Sequence, residues 1–321
     1  MSTSIAFVFP GQGAQCVGMG KAMYEACPTF RRSLDGFAAH TTEGLLEVMF
    51  DGPEDRLKET RYTQPALTAV SCALVDSWRQ VTGGMTPTLT AGHSVGEYAA
   101  LYAAGSIDLA TAARLITRRA QLMSEAPQGT MAAVLGLDQQ TVEAIAEQAA
   151  EQTGEVVVVA NYNTPIQFIL SGSPEGVSVA CQKASEAGAK RVLPLAVSGA
   201  FHSPFMAEKA KAFEADVAGE TFADAIVPVI TNVDAQPTRD GVALQRKLPQ
   251  QIDHSVLWLA TMAHFGAEGI DTVIEFGPGG VLSGMIKRFD RNITCHQVYD
   301  PETMGQALGA LGFELPQPAA V

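Results

Sequence analysis

Along most of this chain, short apolar runs alternate with longer stretches of helical period, and in one place the alternation breaks. Regular alternation is the signature of an α/β fold with a mainly parallel sheet. Between about residues 128 and 198 the order instead becomes β-α-β-β-α-β. The strands fall at Thr130–Leu137, Glu155–Ala160, Ile166–Ser171 and Arg191–Val197, and the helices at Gln139–Gln152 and Pro174–Ala187. That order is the ferredoxin-like split motif. Residues 128–198 are therefore expected to form a small inserted subdomain. Residues 1–127 and 199–321 make the larger one, and the cleft between them is where a ligand would sit.

Composition narrows the function classes. A chain of 321 residues with 47% apolar content is ample for a packed core. Its 34 acidic against 21 basic residues give a net charge of −13, which repels phosphate backbones and anionic membranes, so no nucleic acid is expected as a partner. No run approaches the roughly 18 apolar residues needed to span a bilayer, and the start of the chain lacks a basic, signal-like region. Five scattered cysteines without a CxxC pair read as reduced thiols, neither a disulfide framework nor a metal cluster. A cytoplasmic monomer with no metal is the expectation, with a frayed tail at residues 314–321.

The strongest local signal is Gly92-His93-Ser94-Val95-Gly96, a GxSxG pattern. Thr86–Ala91 can supply the entering strand and Val95–Ala104 the following helix, which is the context a nucleophile elbow requires. An ordinary glycine-rich turn is the competing reading. A serine hydroxyl needs a base. Among six histidines, His93 adjoins the serine, but consecutive side chains diverge at an elbow, so it reads as packing or support. His202 lies in Ser198-Gly199-Ala200-Phe201-His202-Ser203-Pro204, where the small unit returns to the large one and a loop would face the cleft. His254, His264 and His296 receive no role.

Phe9-Pro10-Gly11-Gln12-Gly13 follows the first strand and fits neither phosphate-loop pattern. As a tight turn beside an elbow, it is where an oxyanion donor would come from. The turn after Asp271–Phe276 is read as structural. On the helix Leu109–Glu125, Arg114 and Arg118 share a face while Arg119 points about 100° further round, so it alone could turn inward to hold a carboxylate. A solvated role is the alternative for any single arginine.

Seven motifs in one order complete the pattern: Phe9–Gly13, Thr63-Gln64-Pro65, Gly92–Gly96, Arg119–Met123, Ser198–Pro204, Thr231-Asn232-Val233 and Glu275–Gly279. In these the chain resembles the malonyl-CoA:acyl-carrier-protein transacylases, including freestanding polyketide-synthase acyltransferases, over nearly its whole length. The resemblance implies an α/β-hydrolase-like core with a ferredoxin-like insert. It implies Ser94 as the acylated nucleophile, His202 as its base and the main-chain carbonyl of Gln251 as the group orienting that base. The backbone N–H groups of Gln12 and Val95 would form the oxyanion hole. Arg119 would hold the malonyl carboxylate. Gln64, Phe201 and Asn163 would line the substrate site, with Phe201 limiting room at the acyl α-carbon. Malonyl-CoA would be the substrate, and phosphopantetheine would arrive on an acyl carrier protein; no bound cofactor is implied. Basic residues flanking the cleft in sequence (Lys190, Arg191, Lys209, Lys211, Lys287, Arg288) could receive that acidic partner or be ordinary solvated side chains. The alternatives are a hydrolase on the same elbow, an acyltransferase for another extender unit, and a carrier-binding module without turnover.

Overall fold

The structure, a computed structural model, describes residues 4–197 and 199–313; the expected frayed tail and Ser198 lie outside them. Among the described residues, ten strands form two sheets. They are β1 (Ile5–Phe9), β2 (Leu89–Gly92), β3 (Thr130–Leu135), β4 (Val157–Thr164), β5 (Gln167–Gly172), β6 (Arg191–Pro194), β7 (Val229–Ile230), β8 (Pro237–Thr238), β9 (Thr272–Phe276) and β10 (Thr294–Val298).

The first sheet has the order β10-β9-β1-β2-β7-β8 and is parallel except for the edge strand β8. All five residues of β1 and of β9 are buried, as expected of central strands covered by helices on both faces. One face carries Phe7 and Phe276, their rings 4.8 Å apart and edge-on, and Trp78 of the covering helix packs against both. Each such ring removes about 150–250 Å² from water, a gross gain of about 4–6 kcal/mol before entropy. The 23-residue helix Thr60–Thr82 is buried along nearly its whole length against this face.

The second sheet is antiparallel, ordered β4-β5-β3-β6, with the helices Gln139–Thr153 and Pro174–Glu186 packed on it around a separate apolar cluster. Chain order here is β-α-β-β-α-β. β4 runs four residues beyond its sequence-expected end, through Asn161 and Asn163. Polar residues there read as a loop, but two register irregularities against β5 keep the backbone extended while re-aiming the side chains. Val256 also pairs with β4: the Val256 N–H donates to the Ala160 carbonyl at 2.8 Å, and the Tyr162 N–H donates to the Val256 carbonyl at 3.0 Å.

Register decides where the site lies. Phe9 is paired with Gly92, so the turn after β1 and the turn after β2 leave the sheet side by side at its C-terminal edge. That edge is where open α/β sheets place ligands. Among the described residues, no helix is long and apolar enough to cross a membrane.

Candidate active site

Ser94 follows β2 and precedes the helix Gly96–Ala103, with φ at 51°, a left-handed conformation that costs a non-glycine residue about 1–3 kcal/mol. The surrounding glycines permit it. A Cβ on Gly92 would lie 2.0 Å from the Gly96 main chain, and one on Gly96 would lie 2.1 Å from the Phe9 carbonyl oxygen. Asn232 holds the strained turn: the Ser94 N–H donates to Asn232 Oδ1 at 2.7 Å, and Asn232 Nδ2 donates to the Gly92 carbonyl at 2.7 Å.

His202, also at positive φ (56°), meets this turn from the loop after β6. Its Nε2 is 2.8 Å from Ser94 Oγ and its Nδ1 is 2.8 Å from the main-chain oxygen of Gln251. A carbonyl only accepts, so Nδ1 carries the proton and Nε2 is left to accept from the serine hydroxyl. Burial, then the nearby Arg119 charge, pushes the His202 pKa down to about 3. The imidazole is therefore neutral at ordinary pH and competent as a base.

Arg119 is fully buried, and its pKa is lowered by that burial. Its Nη2 donates to Ser94 Oγ at 3.2 Å and to Gln251 Oε1 at 2.8 Å, while among the described residues Nε and Nη1 have no hydrogen-bond partner. A buried cation with two unpartnered nitrogens is expensive unless an anion completes it. Its neighbours on the same helix behave differently. Arg114 reaches Glu220 at 2.6 Å and Arg118 reaches Asp216 at 2.9 Å, both on the surface.

A cavity of about 240 Å³ opens at Ser94, bordered by Gln12, Gln64, Met123, Phe201 and His202 among others. Among the described residues neither the Gln12 N–H nor the Val95 N–H donates to a protein acceptor. Val95 also stands at the N-terminus of the helix Gly96–Ala103, whose dipole favours negative charge there. Gln64 is buried with Nε2 on Met123 Sδ at 3.4 Å and, among the described residues, no partner for Oε1. Asn163 Oδ1 accepts from His93 Nε2 at 2.8 Å, so His93 is tied to the antiparallel sheet.

Such a set performs acyl transfer through a serine: a hydroxyl, a neutral imidazole, two free N–H donors and a cation around one cavity. Comparison with known proteins agrees. An acyl transferase domain model matches residues 6–298. The malonyl CoA-acyl carrier protein transacylase of Bacillus subtilis is 39% identical over 97% of this chain and 98% of its own. The enzyme of that name from Escherichia coli K12 is 40% identical over 95% and 99%. The chain belongs to this transacylase family.

Two solved structures in the family overlay closely. A malonyl-transacylase in complex with a type II PKS acyl-carrier protein has a TM-score of 0.92 at 35% identity, covering 96% of this chain and 100% of that one. The acyl-carrier-protein S-malonyltransferase from Burkholderia pseudomallei gives 0.91 at 38%, with coverage of 96% and 100%.

Three residues of the site carry no sequence assignment: Glu97, Asn161 and Asn232. Asn161 lines the cavity beside Asn163. Asn232 lies in Thr231-Asn232-Val233, a family motif that gave no hint of a role. Glu97 follows Ser94 by three residues, where an acid in a first helical turn reads as favourable dipole placement. Its burial is visible only in three dimensions.

Proposed function

We propose that this protein transfers a malonyl group from malonyl-CoA to the phosphopantetheine thiol of an acyl carrier protein by way of a malonyl-Ser94 ester. The observation that carries the reading is the Arg119 guanidinium, buried, incompletely partnered and 3.2 Å from Ser94 Oγ. A cation so placed selects an acyl group ending in a carboxylate.

In the first half-reaction Ser94 Oγ attacks the thioester carbon while His202 Nε2 takes the hydroxyl proton. The carbonyl oxygen gathers charge between the Gln12 and Val95 N–H groups, the C–S bond breaks, and the proton passes to the departing CoA sulfur. In the second, the carrier's thiol gives its proton to His202 and attacks the ester carbon. The C–O bond breaks and the proton returns to Ser94. Thioester and oxyester are close in reactivity, so the protein's contribution is positioning and charge stabilisation. Phe201, beside the cavity, limits room at the α-carbon; Gln64 and Asn163 complete its polar lining.

The strand order β4-β5-β3-β6 supports a ferredoxin-like insert at 128–198 on an α/β-hydrolase-like unit of 1–127 and 199–321. The site then lies where the two meet, in a cytoplasmic, monomeric enzyme. Lys190, Arg191, Lys211, Lys287 and Arg288 would receive the acidic carrier; Lys209 lies 3.7 Å from Glu125. The test is mass spectrometry after incubation with malonyl-CoA. The wild-type protein should gain one malonyl group and Ser94→Ala none. An adduct on Ser94→Ala refutes the nucleophile. Absence of an adduct on the wild type favours a docking module, and release of free malonate outpacing transfer favours a hydrolase.

A further inference from the structure

Beneath the serine, on the side away from the cavity, lies a carboxylate to which the mechanism gives no task. Glu97 is 1% exposed. Its Oε2 accepts from Gln251 Nε2 at 2.9 Å and from the Asn232 N–H at 3.1 Å. Both donors belong to residues that touch the reacting centre. Asn232 clamps the Ser94 turn, and Gln251 presents its main-chain oxygen to His202 and its side chain to Arg119.

The Gln251 carboxamide is fully committed. Its Nε2 carries two hydrogens, one for the Ser94 carbonyl at 2.8 Å and one for Glu97, while Oε1 takes the hydrogen bond from Arg119 Nη2. Turned over, it would set Nε2 against the guanidinium, donor facing donor, and Oε1 against two acceptors. Glu97 supplies one of the two acceptors that forbid this. We infer that Glu97 is a positioning residue for acyl selectivity: by fixing the Gln251 carboxamide it holds the Arg119 guanidinium where a substrate carboxylate meets it. The inference rests on Arg119 being the carboxylate-binding group.

A merely structural role would slow acylation by every acyl-CoA alike, whereas this role separates charged from uncharged acyl groups. The measurement is the ratio of malonyl-CoA to acetyl-CoA acylation rates of Ser94. Glu97→Ala should lower that ratio about tenfold, the scale of one buried hydrogen bond. Glu97→Gln keeps an acceptor oxygen for Gln251 and Asn232, and should hold the ratio within about threefold of wild type even if Glu97→Ala fails to fold. Added to Gln251→Ala, Glu97→Ala should lower the ratio by less than about twofold more, because the effect passes through that carboxamide. Parallel losses with both acyl-CoAs, or an undiminished loss in the Gln251→Ala background, overturn the inference. Should the wild type itself form no malonyl adduct, the transfer reading has failed and not this one.

Discussion

The two sheets meet the substrate in different ways. At the C-terminal edge of the parallel sheet everything is fixed by short, buried hydrogen bonds: Ser94 to Asn232, His202 to Gln251, Gln251 to Glu97 and Arg119. The antiparallel sheet gives the same cavity mostly apolar wall, with Met131 from β3, Ile169 from β5 and Leu195 and Val197 from the segment after β6. Its polar link to the elbow is the His93–Asn163 hydrogen bond. The difference teaches a division of labour. A strained region clamped by directional hydrogen bonds, with donors left open toward the cavity, can preorganise charge, while a wall of weakly directional contacts can only shape the space. Substitutions on the first side should change the chemical step, and those on the second should change binding.

The severest test of that division is His202→Ala. With the proton acceptor gone, the rate of malonyl-Ser94 formation should drop by about 10³-fold, measured by rapid quench and mass spectrometry, with the melting temperature little changed. A loss below about tenfold would mean the imbalance between the two regions is illusory. Next comes Arg119→Ala. An uncharged acyl group leaves the wild-type cation unpaired, so the variant should lose malonyl preference by about 10²-fold and gain activity on acetyl-CoA. Unchanged selectivity would make this arginine a packing residue.

How legible this was depends on which physical constraint wrote each part. The elbow is legible because Gly92 and Gly96 tolerate no side chain, so the pattern surfaces in the sequence itself. Arg119 is separable from Arg114 and Arg118 because helical angle alone sends it elsewhere. The β-α-β-β-α-β break likewise shows in hydrophobic periodicity. Gln251 is reached only through family likeness: its main-chain oxygen does the orienting, and a backbone group leaves no mark on residue type. Glu97 and Asn232 are hidden for a related reason. A glutamate in a first turn and an asparagine in a loop are ordinary, and only the convergence of 92–97, 232 and 251 gives them partners. The extension of β4 escaped because bulges break the alternation by which a strand is recognised.

Asn163→Ala probes the opposite side. It strips the acceptor from His93 Nε2 without touching the serine, the base or the guanidinium. KM for malonyl-CoA should rise about three- to tenfold with kcat within about threefold, the cost of one hydrogen bond at the wall. A kcat loss approaching that of His202→Ala would show that the antiparallel sheet shares in the chemistry and would break the contrast.

The smallest effect is one of stability, and it sharpens the contrast within the rigid side. His202 has its pKa pushed down from 6.5 to about 3, by burial and then by Arg119, so between those values the unfolded chain binds the extra proton and stability rises with pH. Glu97 is moved up from 4.5 to about 7 by burial, against the pull of its hydrogen bonds, so between those values the folded protein holds the proton and stability falls as pH rises. Across pH 4.5–6.5 the two slopes oppose and the wild-type melting temperature should be nearly flat. Glu97→Gln removes only the falling contribution, so over the same window its melting temperature should climb by several °C on the general scale for a large domain. If the variant's profile runs parallel to the wild type's, Glu97 does not exchange a proton on folding. The carboxylate beneath the serine would then keep an ordinary pKa, its hydrogen bonds from Gln251 and Asn232 offsetting its burial.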